Sequence, residues 1–327
     1  MFSTFIVAMS APLSGCSPQG YELSKTGIYY DTVVTVELYG TNRSSLESIA
    51  DECMKLCDHY QKLFDPDIKT SDIARINREG TIPVNVDHDT AVMISDTLRY
   101  SDLSNGKFDI TIAPVSSLWN WHEDSCRIPS DDELAKACNL VDYRNVVVDT
   151  ASDTVTLLSP GISIDPGASA KGFIADRISD YLDSQDITGA IVNMGGDMRL
   201  LGCKSDNSLY NIGINDPDKD GCMMTLYLSD CSVATSGTYE RSFTKDGKLY
   251  HHILDPSTGK SAETDIKSVT VISAESFDCD CLCTVSILLG SNAAMDLIEN
   301  TPDTEAVMLL NDNTIVRSSG SAAFIRQ

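Results

Sequence analysis

The sequence predicts an α+β fold, with mixed, largely antiparallel sheets and packed helices, on three observations. Helical periodicities and short β-rich runs are interspersed without the regular βαβ repeat that builds a doubly wound sheet. Two β-rich runs, 144–149 and 154–158, sit at hairpin distance across residues 150–153. Of the 327 residues, 42% are hydrophobic and 22% charged, a balance that buries a sizeable core and argues against wholesale disorder. The length fits one large or two ordinary domains.

The elements follow in order. Residues 32–38 (TVVTVEL) form a strand that ends at Gly40. Residues 45–64 form a helix whose apolar stripe runs through Leu46, Ile49, Leu56, Tyr60 and Phe64, with Cys53 and Cys57 filling it as small hydrophobes. Ser44 or Ser45 is its expected cap. Asp65-Pro66-Asp67 breaks that helix, a short helical piece follows near 71–76, and a further helix at 87–103 stops at Asn105-Gly106. Beyond the hairpin come a helix at 168–182 and a strand at 190–193 that runs into Met194-Gly195-Gly196. Strand-like runs continue at 210–214, 223–228, 249–254 and 266–273, and the chain closes with helices near 278–289 and 293–299 and strands near 305–310 and 314–317. No internal repeat or low-complexity tract interrupts this order.

Charge narrows the function. Lys and Arg number 24 against 48 Asp and Glu, a net charge of −24. Such an excess repels phosphate backbones and excludes a nucleic-acid partner, and an anionic ligand would need local cations or a metal ion to hold it. The cysteines, 11 in all, do not form a zinc-finger pattern, and Cys279, Cys281 and Cys283 are expected to pack. At the N-terminus, the apolar residues 2–13 lead into Leu13-Ser14-Gly15-Cys16, which resembles the lipobox of bacterial lipoproteins. Residues 1–15 would then be a signal peptide, Cys16 the lipidated first residue, 16–27 a tether and 28–327 the folded domain, anchored to the membrane on the extracytoplasmic side. The departure is the absence of Lys and Arg before Cys16.

Five segments hold polar and glycine residues beyond what a core or loop needs. Gly106-Lys107-Phe108-Asp109-Ile110-Thr111-Ile112-Ala113-Pro114-Val115 precedes Trp119 and Trp121, and by itself reads as strand and turn. Asp165-Pro166-Gly167-Ala168-Ser169-Ala170-Lys171-Gly172 opens a helix, where free N–H groups favour an anion, although Asp165 equally fits an N-cap. Asn193-Met194-Gly195-Gly196-Asp197 ends a strand in paired glycines that admit a ligand or simply make a turn. A fourth segment runs from Thr235-Ser236-Gly237 and Tyr239-Glu240-Arg241 to His251-His252-Ile253-Leu254-Asp255-Pro256, and neighbouring histidines on a strand face opposite ways. Asp280 and Thr284 are spaced i, i+4 on a helix, an oxygen pair suited to Mg²⁺, although the spacing alone favours a capping or solvated Asp beside an ordinary helical Thr.

Together and in order, these segments resemble the FAD:protein FMN transferase, or ApbE-like, family. Tyr30-Asp31-Thr32-Val33-Val34-Thr35 and Thr70-Ser71-Asp72-Ile73-Ala74-Arg75-Ile76-Asn77 extend the match, which covers nearly everything from residue 28 onward. Tyr30 stands where Met is frequent in the family, residues 65–69 lack an aromatic residue some members carry, and Cys279-Asp280-Cys281 replaces Ala-Asp-Ala. The resemblance implies FAD as substrate, bound in a cleft between two lobes. Its FMN half would pass as a phosphoester to a Thr or Ser of a flavoprotein, with release of AMP. It implies a Mg²⁺ site at the carbonyl of Ala168 and the side chains of Asp280 and Thr284. FAD contacts would come from Tyr30, Ala113, Pro114, Val115, Asp165, Lys171 and Leu254, and His252 would be the base. Expected acceptors are subunits of Rnf- or Nqr-type redox complexes or extracellular flavoproteins. The same motifs would serve an FAD pyrophosphatase, with water as acceptor, and a non-catalytic lipid-anchored FAD-binding protein would share the binding contacts.

Overall fold

The structure, a computed structural model, describes residues 20–121 and 125–325. The expected signal segment 1–15, Cys16 and the start of the expected tether lie outside the described residues. An eight-stranded antiparallel sheet organises the chain. Its spatial order is β1 (Tyr21–Tyr29), β2 (Thr32–Gly40), β6 (Gly189–Met194), β7 (Asp197–Gly202), β10 (Cys231–Gly237), β13 (Ile266–Ser273), β14 (Glu305–Leu310) and β15 (Ile315–Arg317). Alternate residues of each strand point to opposite faces, and both faces of this sheet are covered. Val34, Val36 and Leu38 of β2, with Val192 of β6 and Val269 and Val271 of β13, face a core shared with α1 (Arg43–Phe64), α6 (Ala170–Asp183), α7 (Ser276–Leu289) and α8 (Ser291–Glu299). Tyr39, Leu200, Val233 and Ile272 face the other way, onto the hairpin of β8 (Tyr210–Asn215) and β9 (Cys222–Leu228).

Smaller units flank this body. A three-stranded sheet, β3 (Val84–Asn85), β5 (Thr154–Leu157) and β4 (Val146–Asp149), packs with α2 (Asp72–Glu79) and α3 (His88–Leu103). A separate cluster of Val115, Trp119, Leu134, Phe243 and Leu254 joins α4 (Ala113–Ser116), α5 (Asp131–Cys138) and the hairpin of β11 (Ser242–Lys245) and β12 (Lys248–His251).

The expected helices and most of the strands are present, and the differences have local causes. Residues 21–27 are not tether: they belong to β1, an edge strand whose exposed and half-buried positions alternate because only one side of it is covered. The cap of α1 is Asn42, whose side chain accepts from the Ser45 N–H, rather than the expected Ser44 or Ser45. Residues 110–112 form a single tight helical turn rather than a strand. Asp109 explains it by accepting from the Thr111 N–H at 2.8 Å and the Thr111 hydroxyl at 2.6 Å. The cysteines expected to pack do so: Cys53, Cys57, Cys279, Cys281 and Cys283 are buried and free. Among the described residues no helix is long and apolar enough to cross a membrane.

Candidate active site

A cleft of about 530 Å³ opens between the helix-covered body and the smaller aromatic cluster, within the range typical of small-molecule and cofactor sites. The Ser71–Asn77 motif is the frame behind it. Ser71 caps α2 by accepting from the Ala74 N–H. The buried Asp72 carboxylate accepts from the Asp87 N–H and the Thr90 hydroxyl at the start of α3. Asn77 then pairs with both backbone groups of Ile164, at 2.9 and 2.7 Å, which fixes the residue preceding Asp165. Replacing Asn77 by Ala orphans those two groups and is expected to lower stability by about 1–3 kcal/mol, measurable by thermal melting.

The cleft floor is an ion cluster where α6 meets α7. Lys171 Nζ lies 2.8 Å from Asp280 Oδ1 and 2.9 Å from Asp197 Oδ2, and Gly172 N–H donates to Asp280 Oδ2 at 3.1 Å. The carboxyls are buried. Burial pushes the Asp197 carboxyl above the ordinary range, while the adjacent Lys171 ammonium works against that rise. Burial alone would lower Lys171, but the two carboxylates raise it above its usual value. Helix α7 takes its N-terminal cap from α6: the Asp176 carboxylate accepts from the N–H groups of Ser276 and Phe277, both at 2.8 Å. The helices approach closely because residue 172 has no side chain. A Cβ there would stand 2.4 Å from the Ser276 carbonyl oxygen. Gly172→Ala is therefore expected to push α7 away at a cost of about 1–3 kcal/mol, seen as a lower Tm and as weakened cleft function.

His252 follows β12 on the opposite wall. Its Nδ1 is 3.1 Å from the Glu240 carbonyl oxygen, which only accepts, so Nδ1 carries the proton and Nε2 keeps its lone pair. Burial pushes the imidazole down to about 4, and it is neutral at physiological pH. His251 faces away from the cleft and is held by the Ala262 carbonyl oxygen at 3.2 Å. Only one of the paired histidines shares the site, as strand geometry requires.

Tyr30, Asp165, Ala168, Lys171, His252, Leu254, Asp280 and Thr284 all line the cleft. Ala113, Pro114 and Val115 do not: Val115 is fully buried in the aromatic cluster behind the wall, and Ile112 and Ser116 of the same segment face the cleft instead. Asp165 does not cap α6, whose N-cap is Ser169; it accepts from the Gly167 N–H and the Ser116 hydroxyl. Lys171 is engaged by two carboxylates rather than free for a ligand. Asp197, to which its motif alone assigns no role, joins the cluster because Gly195 and Gly196, at φ 75° and 115°, reverse the chain and set it at the start of β7. Glu240, Arg241 and Trp121 also line the cleft.

Six carboxylates and three cations line the cleft, so a dinucleotide pyrophosphate entering it meets a local excess of negative charge. Among the described residues no three His, Cys, Asp or Glu side chains are grouped to hold a metal. A hard cation would instead rest on mixed oxygen donors, and the Ala168 carbonyl, Asp280 carboxylate and Thr284 hydroxyl are of that kind. Two buried carboxylates sharing one ammonium leave a negative charge that a divalent ion would balance. The residues present therefore fit Mg²⁺.

Fold and cleft together define an α+β protein built around one large ligand site at the junction of α6 and α7. The chain belongs to the ApbE family, whose model matches residues 30–308. It is 32% identical over 322 residues to the FAD:protein FMN transferase of Treponema pallidum, covering 93% of this chain and 89% of that one. It is 31% identical over 299 residues to an FAD:protein FMN transferase of Klebsiella pneumoniae, covering 90% and 92%. The crystal structure of the ApbE protein from Thermotoga maritima superposes with a TM-score of 0.85 at 30% identity, over 94% of this chain and all of that one. The flavin transferase ApbE of Vibrio cholerae has the same fold, with a TM-score of 0.84 at 24% identity over 94% and 100%.

Proposed function

We propose that the protein is an FAD:protein FMN transferase that uses the α6–α7 cleft, Mg²⁺ and His252. The observation that carries this reading is the placement of a neutral imidazole with a free Nε2 in one cleft with Asp280, Thr284 and the Ala168 carbonyl, in a chain of this family. FAD occupies the cleft. The hydroxyl oxygen of an acceptor Thr or Ser forms a bond to the FMN phosphorus, the bridging P–O bond breaks, and AMP leaves with the bond's electron pair. His252 Nε2 takes the hydroxyl proton, and the Glu240 carbonyl oxygen holds the resulting imidazolium through Nδ1–H. Asp280, Thr284 and the Ala168 carbonyl would hold the Mg²⁺. When bound, this ion supplies neutralisation of the pyrophosphate and of the departing phosphate. Lys171 and the Gly172 N–H keep the Asp280 carboxylate oriented.

In this reading the domain is held outside the cytoplasm by a lipid on Cys16, and its acceptors are flavoprotein subunits of Rnf- or Nqr-type complexes or extracellular flavoproteins. The lipobox-like Leu13-Ser14-Gly15-Cys16 supports the anchor. The test incubates the protein with FAD, Mg²⁺ and a Thr-bearing candidate acceptor, followed by intact-mass measurement. Covalent FMN on the acceptor is the expected product. Free FMN and AMP with an unmodified acceptor would make it a pyrophosphatase, and unchanged FAD would make it a binding protein.

A further inference from the structure

We propose that Arg241 is the residue that grips the pyrophosphate of the dinucleotide, an inference that rests on the FAD reading above. The cations of the cleft lining are Lys107, Lys171 and Arg241. Lys107 is paired with Asp255 at 3.0 Å. Lys171 is held by Asp197 and Asp280. Arg241 is the one lining cation that makes no side-chain hydrogen bond or ion pair among the described residues, and its guanidinium keeps all five donors available. Its fork matches two phosphate oxygens, a geometry an ammonium lacks.

The backbone supports the same assignment. Arg241 sits at φ 38°, in the left-handed region that glycine tolerates and a long side chain resists. A tight connection imposes this conformation between β10 and β11. The Thr238 N–H donates to the Lys267 carbonyl, the Glu240 N–H to the Gly237 carbonyl, and the Ser242 hydroxyl to the Tyr239 carbonyl. Strain of this kind persists where the surrounding structure enforces it, and it collects at ligand sites. Here the strained residue follows Glu240, whose carbonyl oxygen fixes the His252 ring. One turn thus sets both the base and, in this proposal, the cation that faces the phosphates.

The experiment compares wild type, Arg241→Gln, Arg241→Lys and Arg241→Gly for binding of ADP and of riboflavin, alongside FMN transfer from FAD. Arg241→Gln is expected to weaken ADP binding about 10- to 100-fold, the scale of a lost charge-assisted pair, and to leave riboflavin binding unchanged. Arg241→Lys should retain part of the ADP affinity. Arg241→Gly relieves the backbone, so its Tm should equal or exceed that of wild type while ADP binding falls as in Arg241→Gln. Equal ADP affinity in wild type and Arg241→Gln overturns the assignment, as does a glycine variant that binds ADP normally. If wild type binds ADP and FAD yet transfers no FMN, the transferase reading fails while the affinities still decide Arg241.

Discussion

Asp280→Asn is expected to abolish the Mg²⁺ response and reduce FMN transfer by about 10³-fold, the equivalent of ~4 kcal/mol of lost charge stabilisation. The substitution preserves shape, so the amide oxygen still accepts from the Gly172 N–H and the α6–α7 contact stays closed. What disappears is the negative charge. Lys171 then answers only to Asp197, and the oxygen set with Thr284 and the Ala168 carbonyl loses its anionic member. A Mg²⁺ titration of FMN transfer, run beside a thermal melt, separates this from misfolding. Wild type should saturate with Mg²⁺, whereas Asp280→Asn should remain flat with a near-normal Tm. A variant that flavinylates its acceptor at the wild-type rate would disprove the metal assignment.

His252→Gln is expected to lower kcat by about 10²–10⁴-fold, the usual contribution of a positioned general base, while FAD affinity changes only a few-fold. Among the described residues the side chain's hydrogen bond goes to a main-chain carbonyl, so the substitution leaves the metal-site residues in place. The pH profile adds a separate signature. A base is active when unprotonated. Because burial pushes His252 down to about 4, its neutral form persists on the acid side of the ordinary histidine value of ~6.5. The acid limb of kcat/KM in wild type should therefore lie well below pH 6.5. A limb centred near 6.5 would mean that the imidazole is solvated and that the Glu240 contact does not hold in the working enzyme.

The sequence showed some parts of this molecule and concealed others, for physical reasons. The α1 helix was visible because Leu46, Ile49, Cys53, Cys57, Tyr60 and Phe64 repeat at helical spacing and are all buried. The β6 strand was visible through its apolar run. The central strand β10 was not, since Cys231, Ser232, Thr235 and Ser236 do not look like a central strand. Ser232 packs at zero exposure, and Thr235 pairs by hydroxyl with Thr270 on β13 at 2.8 Å. The edge strand β1 reads as tether in its first residues because one-sided burial leaves few apolar positions to count. At the site, Asp280, Thr284 and His252 were reached through the family's motifs. The share of Lys171 between Asp197 and Asp280 was not, since pairing across 109 residues leaves no local spacing to read. Val115 was placed against the ligand because a motif marks a segment, whereas only the fold decides which of its side chains turn inward.

The trans-cap of α7 by Asp176 and the Lys171 pairing have a consequence for the order of folding. Both join residues about 100 positions apart: Asp176 to Ser276 spans 100 and Lys171 to Asp280 spans 109. Such contacts have high contact order and close late, after the intervening chain has organised. Until α7 docks, the Ser276 and Phe277 N–H groups lack the cap that Asp176 provides, and Lys171 has one carboxylate partner instead of two. A nascent chain that ends before residue 276 would already contain His252, Glu240 and Arg241, yet would lack Asp280, one of the three members of its ion cluster. The charge cluster of the cleft floor is therefore complete only once α7 has docked against α6.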